Sequence, residues 1–300
     1  MQEKPVLIHI GFPKTGTSFL QDRFFGEFKD VFFSVPKPEI RKNIISPWAF
    51  GFNPKNAKET FSKYIKRKER VIVLSSEDLS GFPHYHDFTS KVIAERLQSC
   101  LPNGKILIII REQKRMLKSC YFQYLKNEGS YSIDKYLFPP ELRLPSRDNL
   151  NYHFIIDYYQ KLFGKEHVLA LPYEMFEQDP QVFIAKICEL ISIDSKMFME
   201  KVDFSERINK GYPASLLQIK RYLNPFILQN YPNAGNTFYS TIFHGCWVLL
   251  KKIPISVLGT NFEKNVKRKI EVFAKDRYTE SNRKTSALID IDLGKYGYDT

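Results

Sequence analysis

The stretch GFPKTGTSFLQ, Gly11 to Gln21, follows the apolar run VLIHI and sets a lysine inside a glycine-bounded loop. A strand, a loop closed by glycine and an apolar-periodic segment form the arrangement in which backbone N–H groups and a helix start receive phosphate. In the loop of nucleoside triphosphatases, G-x-x-x-x-G-K-[ST], the lysine follows the second glycine. Here Thr17 stands in that place and Lys14 lies inside the loop. The segment suits an anion, but it is not a standard Walker sequence. A lone lysine in such a loop is in most chains simply solvated, so Lys14 gains meaning only from its companions.

Two companions follow other apolar runs. VIVLSSEDLSG places Glu77 just past a run, where a carboxylate can take the proton of a hydroxyl. Asp78 is its neighbour, and its side chain points elsewhere if the chain is still extended. An acidic residue after a strand is otherwise a helix cap or turn residue. IIIREQKRMLKSCYFQYL places Arg111 at the end of a third run, with Ser119 on the segment after it. His84 and His86 in GFPHYHDF are competing bases, because histidine titrates near neutrality. A His-x-His pair without a third ligand nearby is a poor metal site, and no metal is expected.

The elements that must hold these residues are legible as a rhythm. VLIHI (6–10), VIVLS (71–75), KILIII (105–110) and HVLAL (167–171) are β-branched runs, spaced widely enough for a helix between each pair. That rhythm predicts an α/β fold, a central parallel sheet flanked by helices on both faces. Ligands in such sheets sit beyond the carboxyl ends of the strands, where Gly11 to Ser18, Glu77 and Arg111 all fall. Helices are expected after the Gly11 loop, across FTSKVIAERLQSCL, across KRMLKSCYFQYLKN, and from Asp179, whose carboxylate caps a helix opened by Pro180. From about Leu223 the chain turns aromatic with Pro, Gly and Asn punctuation, and NFEKNVKRKIEVFAKDRYTESNRK then reads as one charged amphipathic helix. With no repeat or linker in view, the expectation is a single domain over 1–300, an α/β core to about residue 195 and a variable helical and lid region over 196–300.

Composition narrows the partners. Forty-five basic against 33 acidic residues give a formal charge of +12, which suits an anionic ligand, a polyanionic substrate or an acidic membrane surface, and equally a plain solvated basic face, among which charge alone does not choose. Cys100, Cys120, Cys188 and Cys246 are widely separated and show neither C-x-x-C nor a Cys/His metal spacing. Free thiols in a reducing compartment are expected. The first strand starts by about Pro5, which leaves no room for a leader, and no window approaches about 20 apolar residues, so the expected location is cytoplasmic. The segment 236–254 reads as core or lid, with peripheral contact at the inner membrane surface as a second reading, since Phe243, Trp247, Lys251 and Lys252 mix apolar and basic character.

PKTGTSFL resembles the 5′-phosphosulfate loop of sulfotransferases that use 3′-phosphoadenosine 5′-phosphosulfate (PAPS), and the strand, arginine, helix and serine of IIIREQKRMLKSCYFQYL resemble their second element. The end of the chain, SNRKTSALIDIDLGKYGY, is similar to the terminal segment of bacterial carbohydrate-type members. The resemblance implies a P-loop-like three-layer fold with a helical C-terminal elaboration. It implies that Lys14, with the backbone of Thr15, Gly16, Thr17, Ser18 and Phe19, holds the 5′ phosphosulfate, and that Arg111 and Ser119 hold the 3′ phosphate. Lys14 would meet the oxygen bridging phosphorus and sulfur, where negative charge grows as the sulfuryl group departs. Glu77 would be the base. ERINKGYP resembles the late loop over the adenosine 3′ phosphate, which puts Lys210 and Gly211 there, although Arg207 could serve equally and Asn209 departs from the Arg-Lys-Gly form of small-molecule enzymes.

The implied reaction moves a sulfuryl group from PAPS to an acceptor hydroxyl, of a saccharide or glycolipid, and releases adenosine 3′,5′-bisphosphate (PAP). His84 and His86 would then lie toward the acceptor. Two rivals remain. In a P-loop nucleotide kinase, Glu77 and Asp78 would mimic a metal-binding strand end, but Thr17 occupies the lysine's place. A basic nucleic-acid-binding protein fits the charge and the 17 tyrosines, without any recognised nucleic-acid motif beside them.

Overall fold

A computed structural model of the chain describes residues 4–81, 89–127, 129–138, 147–204, 212–226 and 259–300. His84, His86, Lys210, Gly211 and the 236–254 segment lie outside the described residues.

Five strands form the sheet: β1 (Val6–Gly11), β2 (Phe32–Ser34), β3 (Val71–Ser75), β4 (Lys105–Ile110) and β5 (Val168–Pro172). Every pairing is parallel, in the order β2-β3-β1-β4-β5. β1, β3 and the body of β4 are buried throughout, which is why they read as unbroken apolar runs rather than alternating ones. Four of the five strands stand where the β-branched runs are. β2, three residues at the edge, is too short to show a periodicity and was not expected. One face of the sheet packs on a phenylalanine cluster in which Phe24, Phe25, Phe32 and Phe198 meet ring to ring at 5.0 to 5.6 Å.

The helices at Ser90–Cys100, Gln113–Lys126 and Pro180–Leu190 match the expected segments. Asp179 caps the last of these, its side chain accepting the Val182 N–H at 3.0 Å, with Pro180 at the first helical position. The charged segment 261–284 departs from expectation. It is two helices, Gly259–Ala274 and Thr279–Ile289, separated at a bend where Asp276 takes a φ of 56°. The interruption is tertiary in origin, because Tyr278 is buried and its hydroxyl donates to the Arg147 carbonyl at 3.2 Å.

Contacts group the chain into two units. The first, Met1–Glu112 with Pro145–Ile208 and Tyr278–Thr300, contains the whole sheet. The second, Gln113–Leu144 with Asn209–Arg277, is helical in its described part. Within it Tyr121, Tyr124, Tyr136 and Phe262 cluster, Lys118 pairs with Glu263, and Asn224 donates to the carbonyls of Leu125 and Gly129 at 2.9 and 2.6 Å. The first of these bonds satisfies a carbonyl in the last turn of the Gln113–Lys126 helix, and the second ties down the loop that follows it. Among the described residues no helix is long and apolar enough to cross a membrane.

Candidate active site

The chain leaves β1 toward β3 on one side and β4 on the other, so the carboxyl ends of these three strands meet at the centre of the sheet. This is the place where open parallel sheets leave a crevice for a ligand. The loop after β1 fills it. The Phe12 N–H donates to the Ile109 carbonyl at 2.8 Å, and the Phe12 carbonyl in turn receives the Thr15 hydroxyl, which folds the loop onto the end of β4. Lys14 has a φ of 66° and Gly16 a φ of 80°, after which the chain turns helical at Thr17–Phe19. Gly16 precedes that turn and has no side chain with which to cap the first N–H groups. The Phe19 side chain packs into the core, 4.7 Å from the Phe176 ring, so only its backbone belongs to the loop.

Arg111 follows β4, and its Nη1 donates to the carbonyl of Lys14 at 2.8 Å. The guanidinium also lies 5.0 Å from the centre of the Tyr173 ring. The same ring covers Gly16 so closely that a Cβ there would sit 2.9 Å from Tyr173 Cε2. Arg111 is itself fixed by its backbone: its carbonyl accepts the Tyr152 hydroxyl at 2.7 Å, and the next N–H, of Glu112, donates to Glu174 Oε1 at 3.2 Å. Tyr298, near the end of the chain, donates to Glu174 Oε2 at 3.1 Å. The arginine therefore does more than its sequence position implies, because it braces the residue that carries the loop's cation. Its Nε is buried without a partner among the described residues. A buried cationic donor left open beside a loop of backbone N–H groups fits an anionic ligand such as the phosphate groups of PAPS.

Glu77 opens a single 3-10 turn, Glu77–Ser80, directly after β3. It approaches the loop closely, because a Cβ on Gly11, whose φ is 103°, would stand 3.3 Å from the Glu77 Cα. Only glycine combines that backbone angle with that spacing. The Thr17 hydroxyl donates to the Phe12 carbonyl at 3.5 Å within the loop. Burial raises the Glu77 carboxyl above its usual range; the nearby Thr17 hydroxyl and the charges of Lys37 and Lys14 oppose that rise, and Asp78 adds to it. Asp78 does point elsewhere, although the chain is a turn and not extended, and it pairs with Arg41 at 2.5 Å.

Beneath Glu77, His9 on β1 is fully buried, its Nδ1 2.8 Å from Ser75 Oγ, while Gln21 donates to the same Oγ at 2.9 Å. The His9 Nε2 is buried with no hydrogen-bond partner among the described residues. Burial, with the Lys37 charge adding to it, lowers this histidine to about 3.

The structure thus brings Lys14 to Phe19, Glu77 and Arg111 together within the first unit, while Ser119 stands on the Gln113–Lys126 helix of the second. Tyr173, Tyr152, Glu174 and Lys37 were not singled out in the sequence. One signal was present for Tyr173: it follows β5 directly, the same position relative to its strand that drew attention to Glu77 and Arg111.

No protein-family model and no curated protein sequence matches the chain. Solved structures do. The crystal structure of a sulfotransferase from Alicyclobacillus acidocaldarius is similar at a TM-score of 0.58 and 18% identity, covering 98% of this chain and 98% of that one. The sulfotransferase domain of the Synechococcus PCC 7002 olefin synthase gives a TM-score of 0.40 at 12% identity over 88% of this chain and 94% of that one. Mouse sulfotransferase SULT7A1, complexed with PAP, gives 0.39 at 12% over 92% of this chain and 90% of that one. The first likeness establishes the fold: a parallel α/β sheet with flanking helices, shared with a bacterial sulfotransferase over nearly the whole chain.

Proposed function

We propose that this protein is a PAPS-dependent sulfotransferase that moves a sulfuryl group to the hydroxyl of a saccharide or glycolipid acceptor and releases PAP. The observation that carries the reading is the close approach of Glu77, a carboxylate in a partly dry setting, to the anion-suited loop containing Lys14: its Cα lies 3.3 Å from where a Cβ on Gly11 would stand. A triphosphatase loop has its lysine where this chain has Thr17, whose hydroxyl donates to the Phe12 carbonyl at 3.5 Å within the loop.

When bound, PAPS supplies an activated sulfuryl group with a phosphate leaving group. The residues' parts follow from where charge is gained and lost. Lys14 and the N–H groups of Thr15 to Phe19 hold the end of the donor that becomes more negative, and Arg111 keeps the Lys14 backbone in its positive-φ conformation. Glu77 takes the proton of the acceptor hydroxyl as that oxygen attacks. Its raised pKa makes it a stronger base than an ordinary carboxylate. Assignment of the 3′ phosphate to Arg111 with Ser119, and of further contacts to Lys210 and Gly211, rests on the sequence motifs. The open Nε of Arg111 supports its part. The saccharide acceptor rests on the resemblance of the last residues to carbohydrate-type enzymes. The free thiols of Cys100, Cys120 and Cys188 favour a reducing compartment such as the cytoplasm.

The test is a screen of saccharides, lipid-linked glycans and phenols with donor labelled in its sulfur. Transfer to a glycan, abolished by Glu77→Gln, is the expected result. Transfer to phenols alone would move the acceptor class, and γ-phosphate transfer from ATP with magnesium would replace the reading with a kinase.

A further inference from the structure

Lys37 stands three residues beyond Ser34, the last residue of β2, whose partner strand β3 leads into Glu77. It opens the short helix Lys37–Ile40, and the Arg41 N–H donates to the Lys37 carbonyl, so the two residues are one turn apart on the same helix face. Arg41 is occupied by its ion pair with Asp78, the residue after Glu77. The Val35 N–H donates to the Val73 carbonyl at 2.8 Å, so the chain runs on from β2 beside the end of β3 and reaches Lys37 two residues later, where its charge, like that of Lys14, lowers the Glu77 carboxyl. Glu77 therefore lies in the field of two lysines. Lys14 belongs to the donor loop, whereas Lys37 comes from the edge of the sheet, is solvent-exposed, and makes no ion pair or hydrogen bond among the described residues.

We propose that Lys37 determines acceptor specificity by pairing with an anionic group, a carboxylate or an ester of sulfuric or phosphoric acid, carried by the acceptor close to the hydroxyl that Glu77 deprotonates. The proposal rests on the sulfotransferase reading above and deepens it to an acidic saccharide. Two facts favour it over a solvated lysine. Lys37 lies outside the donor loop, so donor charge leaves it available, and Asp78, the acid next to Glu77, is already paired with Arg41. The chain's formal charge of +12 draws polyanions to it in the same sense.

The test uses calorimetric titration of the PAP-saturated protein with a tetrasaccharide of alternating glucuronate and N-acetylglucosamine, and with its carboxyl-reduced counterpart. The wild type should bind the carboxylate form at least about tenfold more tightly, the worth of one charged hydrogen bond. Lys37→Gln should bring the ratio near one, Lys37→Arg should restore most of it, and PAP affinity should not change in either. A ratio near one in the wild type, absence of binding of both sugars, or a ratio preserved in Lys37→Gln would overturn the proposal. Loss of PAP binding by the wild type is a separate result, and it would remove the sulfotransferase reading instead.

Discussion

Glu77 is held by its neighbours in a state that suits a base and does not suit stability. Because burial lifts its folded pKa above the unfolded value, its contribution to stability is present below the ordinary carboxylate range and is lost as pH rises through the folded value. Glu77→Gln should therefore melt at the same temperature or higher at pH 7, while turnover falls about 10² to 10⁴-fold with donor affinity preserved. The acidic limb of the turnover profile should lie above the usual carboxylate range in the wild type and vanish in the variant. A limb that persists in Glu77→Gln would pass the role to His84 or His86. In the proposed reaction Lys14 acts on the departing side, and Lys14→Ala should lower turnover by about 10² to 10³, the usual cost of removing a group aimed at developing charge. Thr17→Lys restores the Walker spelling but puts a long cation in the place of a buried hydroxyl that bonds within the loop, so steady-state assay should find it less active than the wild type.

The elements bring these residues together through contacts that cross long stretches of sequence. Gly16 shows how tight the assembly is. Gly16→Ala meets both a φ of 80° and the Tyr173 ring at 2.9 Å, whereas Tyr173→Ala removes only the second obstacle. A double-mutant cycle on PAP affinity should thus show Tyr173→Ala partly rescuing Gly16→Ala, and strict additivity would contradict the packing described. The same contrast explains what could be read in advance. The loop, Glu77 and Arg111 follow apolar runs, so local pattern places them at strand ends. Tyr173 over Gly16, the Arg111 bond to the Lys14 carbonyl and the Arg41–Asp78 pair join residues 37 to 157 positions apart, and no local period reports such contacts. β2 was missed because three residues carry no period, and the bend before Thr279 because burial of Tyr278 overrides a helical pattern that is locally unbroken.

At the scale of the whole molecule, the burial of His9 gives folding a defined dependence on pH. Its folded pKa, about 3, lies below the unfolded value of 6.5, so the unfolded chain binds the extra proton between those values. Its contribution is complete above 6.5 and is lost as pH falls toward 3, at up to about 1.4 kcal/mol per pH unit. Urea unfolding of the wild type and of His9→Gln across that range should show a shallower acid slope in the variant, and parallel slopes would mean that the ring is hydrated. This buried pair includes Ser75, the last residue of β3 before the turn that Glu77 opens, so the region that anchors the sheet also carries the proposed base.

The central claim, that the carboxyl ends of β1, β3 and β4 form a PAPS site, is most directly tested by calorimetric titration with PAP, with ATP plus magnesium as the comparison. The account predicts saturable binding of PAP by the wild type, weakened about tenfold or more in Arg111→Ala, since a charged hydrogen bond to phosphate is worth roughly 1.5 to 3 kcal/mol. Because Arg111 also braces Lys14, a smaller loss should remain with adenosine 5′-phosphosulfate, which has no 3′ phosphate. Binding of ATP with magnesium and not of PAP, or PAP affinity indifferent to Arg111→Ala, would contradict it.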